Sequence, residues 1–244
     1  TTCFIPCGAK MPIIGLIAGA MFGGSPLVAV SAYFIGMAAI ICSGIILKKT
    51  KIFAGDPAPF VMELPAYHVP AWGNVFRATW ERGWSFIKRA GTVIVASSIV
   101  LWFLQGFGFV DGVFRMVEDN NSSLLAAIGG AVCILFRPLG FGDWRMVTAL
   151  VSGFTAKEAV VSTFGVILGV SHEQLHEALH LLFTPRSAAS FLTFCLLYTP
   201  CVAAVATIRR ELDSKLKTVG VVIAQCTVAW IAAFLVYQIG GWIG

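Results

Sequence analysis

Charged residues are scarce in this chain of 244 residues. They make up 12% of it and hydrophobic residues 58%, against about 25% and roughly 45–50% in ordinary soluble domains. This balance argues against a soluble domain and predicts a membrane protein. The formal net charge of +5 is modest, and no basic stretch carries the interleaved aromatic residues of a single-strand nucleic-acid groove.

Several common motifs are absent as well. No C-x-x-C pair occurs, and the seven cysteines are an odd number, so reduced thiols are expected rather than a disulfide framework. No G-x-x-x-x-G-K-[ST] phosphate loop occurs, so the chain itself is not expected to hydrolyse a nucleotide. No cleavable signal peptide follows Thr1, and we expect a fragment or a split-gene product.

Six apolar segments are long enough to cross a membrane, because about 20 helical residues span roughly 30 Å of hydrocarbon. A shorter segment within residues 1–25 is about half a span and ends at Gly23-Gly24-Ser25-Pro26, so it predicts a broken or re-entrant helix. We therefore expect an all-α, polytopic membrane helical bundle that forms a single transmembrane domain. The predicted spans are residues 26–47, 90–109, 123–141, 146–170, 187–208 and 219–243.

Loop charges predict the orientation. If alternate connections are cytoplasmic, one side carries thirteen Lys and Arg residues and the other only Arg115 and Arg186. Basic residues are enriched in cytoplasmic loops, so the first side is predicted to be the cytoplasm. Its basic residues are Lys48, Lys49, Lys51, Arg77, Arg82, Lys88, Arg89, Arg137, Arg145, Arg209, Arg210, Lys215 and Lys217.

The long cytoplasmic connection, residues 50–89, divides into two parts. Prolines between Pro57 and Pro70 exclude a regular helix from the first part. The second part, residues 72–89, predicts an amphipathic helix that lies in the membrane interface or packs on protein. Its apolar stripe consists of Trp72, Phe76, Trp80, Trp84 and Ile87.

Two Pro-Cys pairs, Pro6-Cys7 and Pro200-Cys201, are the first candidates for chemistry. Proline disrupts the helical turn before it, and broken backbone in a membrane is tolerated only where protein or water satisfies the freed groups. A thiol beside such a break can bind a soft or borderline divalent metal ion. Cys7 and Cys201 are therefore candidate ligands, with Cys3 as an accessory. Packing roles are expected for Cys42, Cys133, Cys195 and Cys226.

Lys157 and Glu158 are the second candidate, since they lie near the middle of the predicted span over residues 146–170. A charge at the bilayer centre costs about 2.5–3.5 kcal/mol on insertion scales, so neither residue is expected to face lipid. Consecutive helical residues point about 100° apart, so the two charges need separate partners. Two interpretations stay open: a buried polar clamp between helices, or an ion path lined by Glu158.

The stretch His172-Glu173-Gln174-Leu175-His176 is a literal H-E-x-x-H, the zinc-protease pattern when it lies on a helix. The stretch is short and hydrophilic, and no further metal-site pattern follows it. A solvated helix is therefore the preferred interpretation. Adventitious surface metal binding and a membrane metalloprotease are the alternatives.

Several longer blocks occur along the chain in the order of a known family. They include P-C-G-A-K-M-P at residues 6–12, D-P-A-P-F-V-M-E-L-P-A-Y at 56–67, and further blocks at 80–82, 86–92, 156–158, 198–203 and 206–211. Together they resemble the bacterial ferrous iron transport protein B family over essentially the whole chain. The first block resembles the end of that family's first Gate motif.

The resemblance implies a bacterial cytoplasmic membrane protein that transports ferrous iron. It implies no cofactor in this chain, with GTP and Mg²⁺ bound by an N-terminal domain that the chain lacks. The implied partners are that domain, lipid, a small cytosolic protein of the same transport system and further copies of the chain. The implied iron-path residues are Cys201, Cys7 and Glu158, with Cys3, Lys157 and Glu63 as accessories.

These motifs predict inward movement of ferrous iron. The ion is expected to lose water against Cys201 and Cys7 and to pass toward the cytoplasm near Glu158, while nucleotide state acts through residues 50–89. Glu63 is expected to pair with a basic residue rather than to bind the leaving ion. Two other classes stay open: a Gate-type permease for a nucleoside or another solute, and a structural membrane module.

Overall fold

The computed structural model describes residues 4–49, 71–110, 113–117, 123–155, 157–171, 173–198 and 201–243. Cys3, Glu63 and the predicted proline-rich connection lie outside these ranges. Within them the chain forms ten α-helices and one β-hairpin. The helices are α1 (Met11–Met21), α2 (Pro26–Lys49), α3 (Trp72–Gly106), α4 (Leu124–Phe136), α5 (Trp144–Thr155), α6 (Ala159–Leu168), α7 (Leu175–Leu182), α8 (Pro185–Leu197), α9 (Val202–Leu212) and α10 (Lys215–Ile243).

The predicted all-α membrane bundle is confirmed. Among the described residues, three helical stretches are long and apolar enough to cross a membrane, with mean hydropathies between 2.0 and 2.3. They are Pro26–Ile46, Pro185–Leu212 and Lys215–Trp242, the second of which continues from α8 into α9. The pair α4 and α5 adds a fourth if a pair bent by 106° is counted as one span. The chain is a multi-pass membrane protein.

Helix α3 differs from its prediction. The expected interfacial helix over residues 72–89 and the expected span over 90–109 are one continuous helix of 35 residues. No proline interrupts this stretch, and the helix is about 52 Å long at about 1.5 Å per residue. It therefore extends well beyond roughly 30 Å of hydrocarbon. Its first part is exposed, and the rings of Trp80 and Trp84 stack 6.2 Å apart.

Two predicted spans are divided by breaks in the helix. The segment over residues 146–170 is two helices, α5 and α6, which are separated at residues 156–158. The segment over 187–208 is likewise divided between α8 and α9, after Tyr198. The half-length helix α1 agrees with the predicted re-entrant segment, and Gly23 and Gly24 follow it with positive φ angles of 60° and 72°. Such angles favour glycine.

The loop predicted between the second and third spans contains a β-hairpin. Strand β1 (Phe107–Val110) pairs antiparallel with β2 (Val113–Met116), with Phe107 opposite Met116. An Asp-Gly dipeptide lies between the strands in sequence, and this dipeptide flanked by apolar residues is a strong hairpin signal. The prediction from charge alone overlooked it.

The structure places Arg137 at the same end of α10 as Arg186, whereas the loop charges predict opposite sides for the two residues. After α4 the chain forms a short 3-10 helix, Arg137–Leu139, and Gly140 then packs against Tyr237 near the end of α10. Arg186 packs against Gly240 at the same end, so Arg137 lies on the side of Arg186. The reason is the bend between α4 and α5. The prediction assumed instead that each apolar segment crosses the bilayer once. Arg145 closely follows Gly142, which packs against Arg137, so it is counted at this end as well, and eleven basic residues against four still favour the same orientation.

The core is built around α8, whose residues are buried almost without interruption from Ser187 to Tyr198. Phenylalanine rings from neighbouring helices pack against it, with centroid distances of 5.1 Å for Phe136–Phe194 and 5.4 Å for Phe141–Phe191. Edge-to-face pairs of this kind contribute about 0.5–1.5 kcal/mol each beyond their buried area. The C-terminal end of α8 is thereby placed inside the bundle.

Candidate functional site

Two breaks in the helical structure and the segment before α1 meet at the C-terminal end of α8. The breaks lie between α5 and α6 and between α8 and α9. Lys157 belongs to the first of these breaks and lies within electrostatic range of side chains from the second, from the segment before α1, and of Cys195 on α8. We call this set of residues the break junction: Cys7, Lys10, Lys157, Cys195, Tyr198 and Cys201.

Lys157 is buried at the junction and finds its partner in an aromatic ring. Its side chain is 2% exposed, and its Nζ lies 2.9 Å from the ring centroid of Tyr198. A cation over an aromatic face is stabilised by the ring quadrupole, by about 2 kcal/mol when it is desolvated. For Lys157 this geometry agrees with the buried polar clamp, one of the two interpretations that the sequence left open.

Tyr198 is itself held in a narrow slot. Its hydroxyl lies 3.4 Å from the carbonyl oxygen of Leu150, and its ring stacks on Phe194 at 5.3 Å. A Cβ atom added at Gly153 on α5 would lie 2.6 Å from the Tyr198 hydroxyl oxygen, closer than van der Waals contact allows. Glycine at position 153 therefore makes room for the ring beneath Lys157.

Lys10 is a member of the junction that sequence reasoning missed. It is 3% exposed, and its Nζ donates a hydrogen bond of 2.5 Å to the carbonyl oxygen of Leu196, in the last turn of α8. A signal was present, because Lys10 is the only Lys or Arg in the first 47 residues. A lone cation in so apolar a stretch requires a buried partner.

The two Pro-Cys thiols occupy equivalent positions in the chain. Cys7 precedes the short 3-10 helix Gly8–Lys10, and Cys201 precedes α9, so each stands at the N-cap of a helical segment. Neither side chain makes a capping hydrogen bond. Cys7 is exposed and Cys201 is half-buried. Both lie within electrostatic range of Lys157.

Glu158 has a different environment from its neighbour Lys157. It is exposed at the N-cap of α6, where a carboxylate is favoured by the helix dipole. Within the part of the chain that the structure describes, no three His, Cys, Asp or Glu residues lie close enough together to hold a metal ion. The junction therefore brings together Cys7, Cys201 and Lys157 but does not add Glu158 to a preformed ligand set.

The H-E-x-x-H stretch does not form a zinc-protease arrangement in the described residues. Helix α7 begins at Leu175, so Glu173 precedes it, and His172 lies outside the described ranges. His176 packs against α1, where a Cβ added at Gly19 would lie 2.7 Å from its Cε1 atom. The imidazole of His176 serves helix packing between α1 and α7.

A small cavity lies between α3, α4, α5 and α6. Its lining is mainly apolar, with polar side chains from Gln105, Ser123, Thr148 and Thr163, and it has room for about one water molecule, about 10 Å³. Thr163 donates a 2.8 Å hydrogen bond to Ser152. The hydroxyl oxygen of Thr148 is buried without a hydrogen-bond partner among the described residues.

Two family models match the chain. The model described as "Ferrous iron transport protein B C terminus" matches residues 29–82, and the Gate model described as "Nucleoside recognition" matches residues 87–215. The second match covers more than half of the chain. No solved structure matches it.

Curated relatives agree with the first description. The chain is 37% identical over 238 residues to "Fe(2+) transporter FeoB" of Staphylococcus aureus (strain MSSA476), covering 97% of the chain and 35% of the relative. It is 34% identical over 241 residues to the protein of that name in Methanocaldococcus jannaschii, covering 97% and 36%. A 31% identical relative in Porphyromonas gingivalis, covered over 98% of the chain and 34% of the relative, is named "Fe(2+) transport protein A/Fe(2+) transporter FeoB fusion protein".

The chain spans about a third of the length of these relatives. The matches run through nearly all of it, and both family descriptions fit a helical membrane region with broken helices. The chain therefore belongs to the ferrous iron transport protein B family and corresponds to a C-terminal membrane portion of it.

Proposed function

We propose that this chain is the membrane portion of a ferrous iron importer and that the ion passes through the break junction. The observation that carries the proposal is the meeting of two helix breaks and the segment before α1 at one buried helix end, with a Pro-Cys thiol in that segment and another in the second break. Discontinuous helices that meet inside a membrane bundle are the usual setting of an ion or substrate site. Thiol ligands suit borderline divalent metals better than Mg²⁺ or Ca²⁺.

The charges of the break junction favour passage of a divalent ion over its tight binding. Lys10 and Lys157 are both buried there and lie within electrostatic range of each other. A buried ammonium group repels a divalent cation, whereas the thiols of Cys7 and Cys201 can bind it. Such opposition would weaken binding, and conduction requires binding weak enough for the ion to leave.

Glu158 provides the next step of the proposed route. Its carboxylate is exposed beside the junction, so an ion that leaves the thiols meets a hard oxygen ligand that is accessible to water. The loop-charge bias orients the movement toward the cytoplasm. Glu63 is proposed to pair with a basic residue, and Cys3 and Lys157 to act as accessories.

The remaining parts of the proposal concern the longer protein. A GTP-binding domain would regulate transport in the bacterial cytoplasmic membrane, and this chain would need no resident cofactor. The name of the P. gingivalis relative joins transport protein A to the transporter, which supports a small cytosolic protein of the same system as a partner. Further copies of the chain are also proposed as partners, in a homo-oligomer.

Uptake of radiolabelled ferrous iron tests the route. Cells that lack their own ferrous importer would carry the full-length protein with Cys201→Ser, Glu158→Ala or Cys133→Ser. Cys133 is the matched control, because its thiol bonds to the carbonyl oxygen of Gly130 on α4. At equal membrane abundance, Cys201→Ser should fall close to background, Glu158→Ala should fall severalfold, and Cys133→Ser should remain active. Normal uptake by both junction variants would contradict the route.

A Gate-type permease for a nucleoside is the second candidate, because the Gate model is described as "Nucleoside recognition". This function makes the opposite prediction for the thiols. Cys201→Ser would be nearly silent, and the same cells would accumulate a labelled nucleoside rather than iron. Parallel uptake measurements with both substrates separate the two functions.

A further inference from the structure

The end of α8 has a particular deficit in its backbone hydrogen bonds. In an α-helix the carbonyl oxygen of one residue accepts a bond from the N–H four residues later. For Leu196 that later residue is Pro200, and proline has no N–H. A proline ring also crowds the carbonyl group four residues before it. The Leu196 carbonyl therefore cannot find a helical donor at position 200, whatever path the chain takes after α8.

Lys10 supplies a donor to this carbonyl group from the other Pro-Cys segment. Its Nζ lies 2.5 Å from the Leu196 oxygen, although the two residues are 186 positions apart in the chain. Hydrogen bonds from charged donors are short and about twice as strong as neutral ones. A cation at the C-terminal end of a helix also interacts favourably with the helix dipole. A buried ammonium group and a carbonyl without a helical donor thus satisfy each other.

The same contact links the two thiols. Lys10 lies three residues after Cys7, and Leu196 lies five residues before Cys201. The neighbouring backbone is already fixed, because the N–H of Tyr198 bonds to the carbonyl oxygen of Phe194 at 2.8 Å. The Lys10–Leu196 bond is therefore a direct connection between the two Pro-Cys segments.

We infer that Lys10 is a positioning residue, which supplies the donor that the Leu196 carbonyl lacks where α8 ends and Tyr198 is extended, and which sets the distance between Cys7 and Cys201. Its effect on iron uptake rests on the proposed function, whereas its effect on the end of α8 does not. Lys10 does not need to contact the ion. It acts through the Leu196 carbonyl group.

The test is a pair of substitutions at position 10 in the full-length protein. Lys10→Met keeps the length of the side chain but removes the donor, and Lys10→Arg keeps a charged donor. Thermal unfolding in detergent, followed by tryptophan fluorescence, and initial rates of iron uptake would be measured for each.

Lys10→Met should lower Tm by about 5 °C or more, since a buried bond to a charged group is lost, and should lower the uptake rate. Lys10→Arg should retain most of the wild-type Tm and most of the wild-type uptake rate. A wild-type Tm for Lys10→Met, or an equal loss of Tm in Lys10→Arg, would overturn the inference.

Failure of the inference can be told apart from failure of the proposed function. If Cys201→Ser abolishes uptake while Lys10→Met remains normal, the iron route stands and the positioning role falls. If Lys10→Met lowers Tm and Lys10→Arg does not, while Cys201→Ser transports normally, the positioning role stands and the iron route falls.

Discussion

Two neighbouring charges, Lys157 and Glu158, have opposite environments. Lys157 is buried over the Tyr198 ring, whereas Glu158 is exposed at the start of α6. The 100° step between consecutive helical residues required separate partners, and the structure agrees. The identity of the partner could not be predicted, because Tyr198 lies 41 positions away in sequence. Side-chain pairs across a fold depend on packing that no local pattern encodes.

Lys10 shows the same limit of prediction from sequence, because its contact partner could not be identified. Its isolation in an apolar segment was visible in the sequence, but its acceptor is a backbone carbonyl, which every residue carries. Only the meeting of α1 and α8 identifies Leu196 as that acceptor. The Pro-Cys pairs were easier to recognise, since proline has a local consequence for the helix.

At the residue scale, Thr148→Val is expected to stabilise the protein. The Thr148 hydroxyl is buried without a partner among the described residues, and an unsatisfied buried group costs about 1–3 kcal/mol. Valine has nearly the same shape, so Tm should rise by about 2–4 °C for each kcal/mol gained. Thermal unfolding of Thr148→Val beside Thr148→Ser, which keeps the hydroxyl, measures this. A lower Tm for Thr148→Val would show that the hydroxyl has a partner in the adjoining cavity.

At the scale of the elements, the apolar pattern predicts most of the helices but only some of the breaks within them. The pattern over residues 146–170 is continuous, yet α5 and α6 are separate helices. Conversely, a change in composition near residue 90 suggested two segments where α3 is one helix. Hydropathy measures transfer into the membrane rather than backbone direction, so it cannot locate a bend. Glycine and proline signals located the end of α1 because they constrain the backbone itself.

Gly153 gives a prediction at this scale. A methyl group there would collide with Tyr198 and Val160, and overpacking of this kind costs about 1–3 kcal/mol. Gly153→Ala should therefore lower Tm and reduce iron uptake, because the ring beneath Lys157 is displaced. Gly130→Ala on α4 is the matched control, since nothing lies within 4 Å of the added Cβ. The same Tm for both variants would contradict the close packing of α5 on Tyr198.

At the scale of the whole molecule, the orientation depends on loop charge together with one correction. Counting Arg137 and Arg145 with Arg186 leaves the basic bias in place, and the first part of the long helix α3 carries the exposed Trp72, Trp80 and Trp84. Large apolar side chains are also exposed along α2 and α10, as expected for helices that face lipid or other membrane segments. The chain corresponds to about a third of the length of its relatives.

Protection of thiols by the transported ion tests the central claim most directly. The full-length protein would be alkylated in membranes under anaerobic conditions with Fe²⁺, with Mg²⁺ or without added metal, and each cysteine would be quantified by mass spectrometry. The account predicts that Fe²⁺, but not Mg²⁺, slows alkylation of Cys201 and Cys7 and leaves Cys133 unchanged. Equal alkylation of Cys201 and Cys7 under all three conditions would contradict the passage of ferrous iron through the break junction.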